Sequence, residues 1–142
     1  MTDAPTPYEL FGGADFFERL VAAFYSRVKN DDVLRPMYPD DDWDGAERRL
    51  RMFLEQYWGG PKTYGEERGH PMLRHRHMPF AVDSTARDHW LANMHEALSE
   101  QHLPPQHQEE IWAYLVSAAF AMQNIADDTT PHPGIPVTKG PQ

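Results

Sequence analysis

The chain contains no cysteine, which removes disulfides, thiolate nucleophiles and Cys-ligated zinc or iron–sulfur centres together. Any metal chemistry falls to His, carboxylate or Tyr. Basic residues are scarce beside acidic ones, 13 against 22 in 142 residues for a net charge of −9. So negative a chain suits neither nucleic acid nor an anionic membrane surface, both of which select for positive fields. No apolar run approaches the roughly 18 residues of a membrane span. The N-terminus MTDAPTPYEL lacks the basic and apolar regions of a secretion signal, so a cytoplasmic location without membrane insertion is predicted. Nor do β-branched residues alternate with polar ones over a strand length anywhere, so the fold reads as all-α. What is present is 40% apolar sequence, enough for one domain with a single core.

Helical spacing recurs along the chain. After Gly12-Gly13, residues Phe17, Leu20, Val21, Phe24 and Val28 follow the i, i+3, i+4, i+7 pattern of a core-facing stripe, with Tyr25 at its edge. Asn30 to Tyr38 reads as a short turn or helix ended by Pro39. In the acidic run Asp40 to Asp44, Asp44 and Glu47 have capping-box spacing, which predicts a second helix beginning there. That helix puts Ala46, Leu50, Phe53, Leu54 and Tyr57 on one face and stops at Gly59-Gly60-Pro61. Between Pro61 and Pro79 the stripe thins, which predicts a loop with at most a short helix around Met72 to His77. A third long helix from about Ser84 turns Trp90, Leu91, Met94 and Leu98 inward. Pro104-Pro105 separates it from a fourth, marked by Ile111, Leu115, Ala118, Ala119 and Met122. The tail Asp127 to Gln142 has four prolines, two glycines and few bulky apolar residues. It is expected to stay disordered, because burial cannot offset its ordering entropy. The expected organisation is a flexible segment 1–7, one domain over 8–126 and the tail 127–142.

Of the eight histidines, His89, His95, His102, His107 and His132 are scattered, without an HExxH pair, and are expected to be solvated or capping. His70, His75 and His77 cluster, which by residue type alone fits either a polar loop or a metal site. His75 and His77 cannot share a helix face. If the segment is helical, His77 shares a face with Leu73 and points into apolar space, where it needs a partner.

The stretch Leu50 to Phe80, LRMFLEQYWGGPKTYGEERGHPMLRHRHMPF, resembles the middle of a group II truncated haemoglobin of the actinobacterial type, and the resemblance runs from about Tyr8 to Ala126. It implies a shortened globin with helices packed two on two around haem b. Gly12-Gly13 and Gly59-Gly60 stand where the family has its glycine pairs. Arg76-His77-Met78-Pro79-Phe80, following Gly69-His70-Pro71, matches the context of the family's iron ligand. The resemblance therefore makes His77 the ligand rather than His70 or His75. An imidazole suits iron when its second N–H is held by a backbone carbonyl.

On the opposite face the resemblance implies that Tyr25, in Phe24-Tyr25, directs its hydroxyl at a bound diatomic ligand. Trp90, in Arg87-Asp88-His89-Trp90-Leu91, matches the tryptophan of this group, which implies an indole N–H directed into the pocket. Tyr38 falls at a variable aromatic position and would add a third donor. Ala46 stands where many globins carry a distal histidine, so that position cannot donate. Leu50, Phe53 and Leu54 would line the pocket, with Phe80 beside the ligand motif. Arg76, and Lys62 with Tyr64, are the expected propionate contacts, since basic residues gather around this segment of an acidic chain.

Bound dioxygen draws partial negative charge, so aligned donors stabilise it more than carbon monoxide and slow its release. A slow releaser is a poor carrier. The resemblance thus extends the ligands to nitric oxide and peroxide, with nitric oxide dioxygenase or peroxidase activity and an unidentified reductase; self-association is left open. Two readings from other classes compete: a non-haem His-ligated metal enzyme using His70, His75 and His77 with Glu66 or Glu67, and a helical interaction module without cofactor.

Overall fold

The computed structural model describes residues 4–69 and 82–123. The expectations for a helix at 72–77 and for the tail lie outside those residues. All regular structure among the described residues is helical: α1 (Pro7–Phe11), α2 (Gly13–Val28), a 3-10 turn (Arg35–Met37), α3 (Trp43–Tyr57), α4 (Thr63–Arg68), α5 (Ser84–Ser99) and α6 (Pro105–Met122). No described helix is long and apolar enough to cross a membrane.

The organising element is α2, where Phe16, Phe17, Leu20, Val21, Phe24 and Val28 are all fully buried. The stripe is wider than the spacing predicts, because Phe16 joins it. It is wide because α2 packs on both α3 and α5, while α5 also packs on α6. On α5, Met94 and Leu98 are buried, and on α6, Ile111, Leu115 and Ala119 are buried. Tyr57 departs from the expected inward face: it is 51% exposed and stacks on Tyr114 of α6 with ring centroids 3.9 Å apart.

Two helix starts differ from expectation. The helix α3 begins at Trp43 with Asp42 at the N-cap, not at an Asp44–Glu47 box. The Asp42 carboxylate accepts from Arg49 Nη2 at 2.8 Å instead of from a backbone amide. At the other end of the chain, Thr6 and Pro7 belong to a capped helix rather than to a flexible 1–7 segment. The Thr6 hydroxyl accepts from Glu9 N at 3.2 Å while Glu9 Oε1 accepts from Thr6 N at 2.9 Å.

The helix α4 falls where a loop is expected, since its stripe is a single buried residue, Tyr64. Contacts from α3 hold it. Arg48 donates to both oxygens of Glu67 at 2.7 Å, and Gln56 Oε1 accepts from Gly65 N at 2.7 Å.

Gly59-Gly60 does more than end α3. Tyr8 N donates to Trp58 O at 2.8 Å, which lays α1 across the turn. A Cβ at Gly60 would sit 2.6 Å from Tyr8 Cδ1, and Gly59 has φ +96°. The Tyr8 ring cannot retreat, because it stacks on Phe17 at 5.6 Å. Gly60→Ala is therefore expected to destabilise by about 2 kcal/mol, as overpacking does, lowering the melting temperature by roughly 5 to 10 °C. Calorimetry in a Tyr8→Ala background checks the cause: the loss should largely disappear there, and an undiminished loss would refute the ring contact.

Candidate functional site

One wall of the fold is a run of aromatic rings contributed by α2, the 3-10 connection, α3 and α5. Trp90 on α5 meets Phe24 edge-on at 5.2 Å, and Phe24 meets Tyr25 at 5.0 Å. Tyr25 meets Tyr38 at 5.6 Å with planes 87° apart, and Tyr38 stacks on Trp43 at 5.4 Å. The expected donors Tyr25, Tyr38 and Trp90 are thus brought into one continuous surface, with Phe24 as the link. Helical geometry explains it: Phe24 and Tyr25 are adjacent on α2 and diverge by about 100°, one toward α5 and the other toward the connection ending at Tyr38.

Burial raises the Tyr25 phenol well above its ordinary value, reinforced by the Tyr38 hydroxyl. It also pushes Tyr38 up to about 12, with the hydrogen bond to Tyr25 opposing the rise. Both remain neutral phenols near neutral pH. Each therefore carries an O–H that can donate to an acceptor.

The helix α3 supplies the adjoining apolar surface. Ala46 and Leu54 are buried, while Leu50 and Phe53 are partly buried against the core. Phe53 meets Tyr64 edge-on at 5.6 Å, which places α4 beside it. Lys62 is exposed just ahead of α4. Arg76, His77 and Phe80, like His70 and His75, lie outside the described residues. Among the described residues no group of three or more His, Cys, Asp or Glu could hold a metal ion.

Trp43, not expected at the site, ends the aromatic run, and Lys29 Nζ lies over it at 5.5 Å. Its signal is its place between Asp42 and the α3 stripe, which reads there only as a capping region. His89 is part-solvated, as expected, with its side chain 42% exposed, and it also holds a partner: its Nδ1 lies 3.1 and 3.0 Å from the two carboxylate oxygens of Asp31. His95 and His107 likewise pack edge-on against Trp112 at 4.9 Å and Phe11 at 5.3 Å. No spacing rule in one helix could have shown these, because every partner is distant in sequence.

The chemistry of this donor set fits a flat, largely apolar macrocycle holding a small polar ligand: ring and aliphatic faces, with neutral O–H and N–H donors among them. Helices packed two on two behind such a wall make a truncated globin. The chain belongs to the bacterial-like globin family, whose match covers residues 6–124. Within that family it groups with the group II truncated haemoglobins, and haem b is its cofactor. It is 51% identical to a thermostable haemoglobin from the actinobacterium Thermobifida fusca, whose structure superposes with a TM-score of 0.84 over 85% of this chain and 98% of that one. It is 40% identical to the group 2 truncated haemoglobin YjbI of Bacillus subtilis over 83% of this chain and 88% of that protein. A truncated oxygen-avid haemoglobin from Bacillus subtilis has 38% identity and a TM-score of 0.79 over 84% of this chain and all 100% of the other.

Proposed function

We propose that the protein holds dioxygen tightly, releases it slowly and turns it over against nitric oxide, rather than ferrying it. Haem b supplies the iron at which diatomic ligands bind, and His77 is the side chain of this chain that holds it. Lys62 with Tyr64, and Arg76, would pair with the propionates, and Leu50, Phe53, Leu54 and Phe80 would pack on the macrocycle around the small Ala46. The Tyr25 and Tyr38 hydroxyls and the Trp90 N–H would donate to the ligand from different elements.

The observation that carries this reading is the Tyr25–Tyr38 pair held neutral by burial, joined through Phe24 to Trp90. Neutral, pre-aligned donors in a low-dielectric wall favour the diatomic ligand that draws negative charge, because they need not reorganise when it binds. The oxygen avidity of the Bacillus subtilis relative agrees with it. Such donors would retain oxygen long enough for nitric oxide to reach it; the haem would supply the redox chemistry, and a cellular reductase would supply the electrons consumed. Peroxide is the second substrate that the same donors would polarise.

Stopped-flow measurement of oxygen release beside nitric oxide consumption by the oxygenated protein tests the proposal. Consumption should outrun release, with nitrate as product. Release faster than consumption at micromolar nitric oxide would mark a carrier instead.

A further inference from the structure

Asp31, just beyond the end of α2, is 13% exposed at its side chain and accepts from groups on two separate elements. Its Oδ1 takes Val33 N at 2.9 Å and Leu34 N at 3.0 Å, from the turn it begins. Its Oδ2 takes Asn93 Nδ2 at 2.8 Å, and His89 Nδ1 bridges both oxygens. Burial alone would raise this carboxyl, but the bonds from Asn93, His89, Leu34 and Val33 outweigh it and bring the group down to about 2. The carboxylate is therefore ionised and can only accept, which fixes the proton on His89 Nδ1. Four donors fill its acceptor sites. Arg27, which lines the same groove, pairs with Glu100 instead.

The two elements joined this way are those that carry the distal donors. The turn held by Val33 and Leu34 runs through the 3-10 segment Arg35–Met37 to Tyr38. On α5, His89 and Asn93 stand one residue before and three after Trp90, and Asn93 Nδ2 also binds His89 O at 2.8 Å. Fixing both side chains to one carboxylate fixes the rotation of α5 about its axis at Trp90.

We infer that Asp31 is a positioning residue that sets the spacing between Tyr38 and the Trp90 indole, through His89 and Asn93 on one side and the Val33–Leu34 turn on the other. The inference rests on the donor roles proposed above. Asp31→Asn weakens the α5 side alone: its carbonyl still serves the turn amides, while its NH2 cannot accept from Asn93 and meets His89 Nδ1 only after that ring moves its proton to Nε2. Asn93→Ala provides a second, independent break on α5.

In the carbon monoxide complex of the holoprotein, both variants should shift the Trp90 indole N–H resonance and leave that of Trp58 in place. Oxygen dissociation should quicken about fivefold, the scale of a misaligned hydrogen bond, and not quicken further when either change is added to Trp90→Phe. An unmoved Trp90 resonance in both variants overturns the inference, as does an acceleration that persists undiminished in the Trp90→Phe background. A shifted resonance in protein whose oxygen release ignores Trp90→Phe would uphold the positioning and refute the donor role instead.

Discussion

Replacing His77 with alanine is expected to strip most of the haem from the purified protein and to lower its melting temperature toward that of the apoprotein. The cofactor binds the native state alone, so its loss removes a stabilisation of RT ln(1 + [L]/Kd), about 4 kcal/mol at a thousandfold saturation. For a domain of this size that is a fall of roughly 10 to 20 °C. The haem-to-protein ratio from the Soret band and calorimetry of the same samples measure both effects. His75→Ala is the control, expected to leave the spectrum unchanged. Equal haem loss from the two substitutions would remove the assignment of His77 as the iron ligand.

Trp90→Phe should speed oxygen dissociation by about tenfold, equivalent to roughly 1.4 kcal/mol of lost hydrogen bonding. Phenylalanine keeps a ring against Phe24, which Trp90 meets edge-on at 5.2 Å, but has no N–H. Carbon monoxide, which draws less charge, should leave at nearly the original rate. Flash photolysis and ligand replacement give both constants. If the two ligands respond alike, the indole serves as a steric gate and not as a donor.

The long helices were legible because each has an apolar stripe of its own, and α2, α3 and α6 each have a glycine or proline at one end. The fully buried stripe Phe17, Leu20, Val21, Phe24 and Val28 on α2 could be read without knowing any neighbour. Elements that depend on neighbours could not. The helix α4 exists through Arg48, Gln56 and Phe53 of α3, and nothing between Thr63 and Arg68 announces them. The start of α3 was misplaced because Asp42 bonds Arg49, a partner two turns along the same face, instead of closing a local box. At the site, residue types were legible and their grouping was not: Tyr25 and Trp90 stood out in the sequence as aromatics near a stripe. That Phe24 links them, that Trp43 extends the run and that Asp31 ties two elements together all follow from packing across the chain.

The docking of α1 on Trp58 also bears on the order in which the chain acquires structure as it leaves the ribosome. A five-residue helix cannot persist alone, since its nucleation is unfavourable and it has hardly any propagation to offset that. Its anchors, the Trp58 carbonyl and the glycine surface under Tyr8, emerge only after α2 and α3 have been synthesised. Although α1 is made before α2 and α3, it is thus among the later helices to settle, and it closes over a hairpin already formed behind it. A ribosome stalled before residue 58 should present α1 as unstructured chain open to protease, and one stalled well beyond residue 60 should protect it.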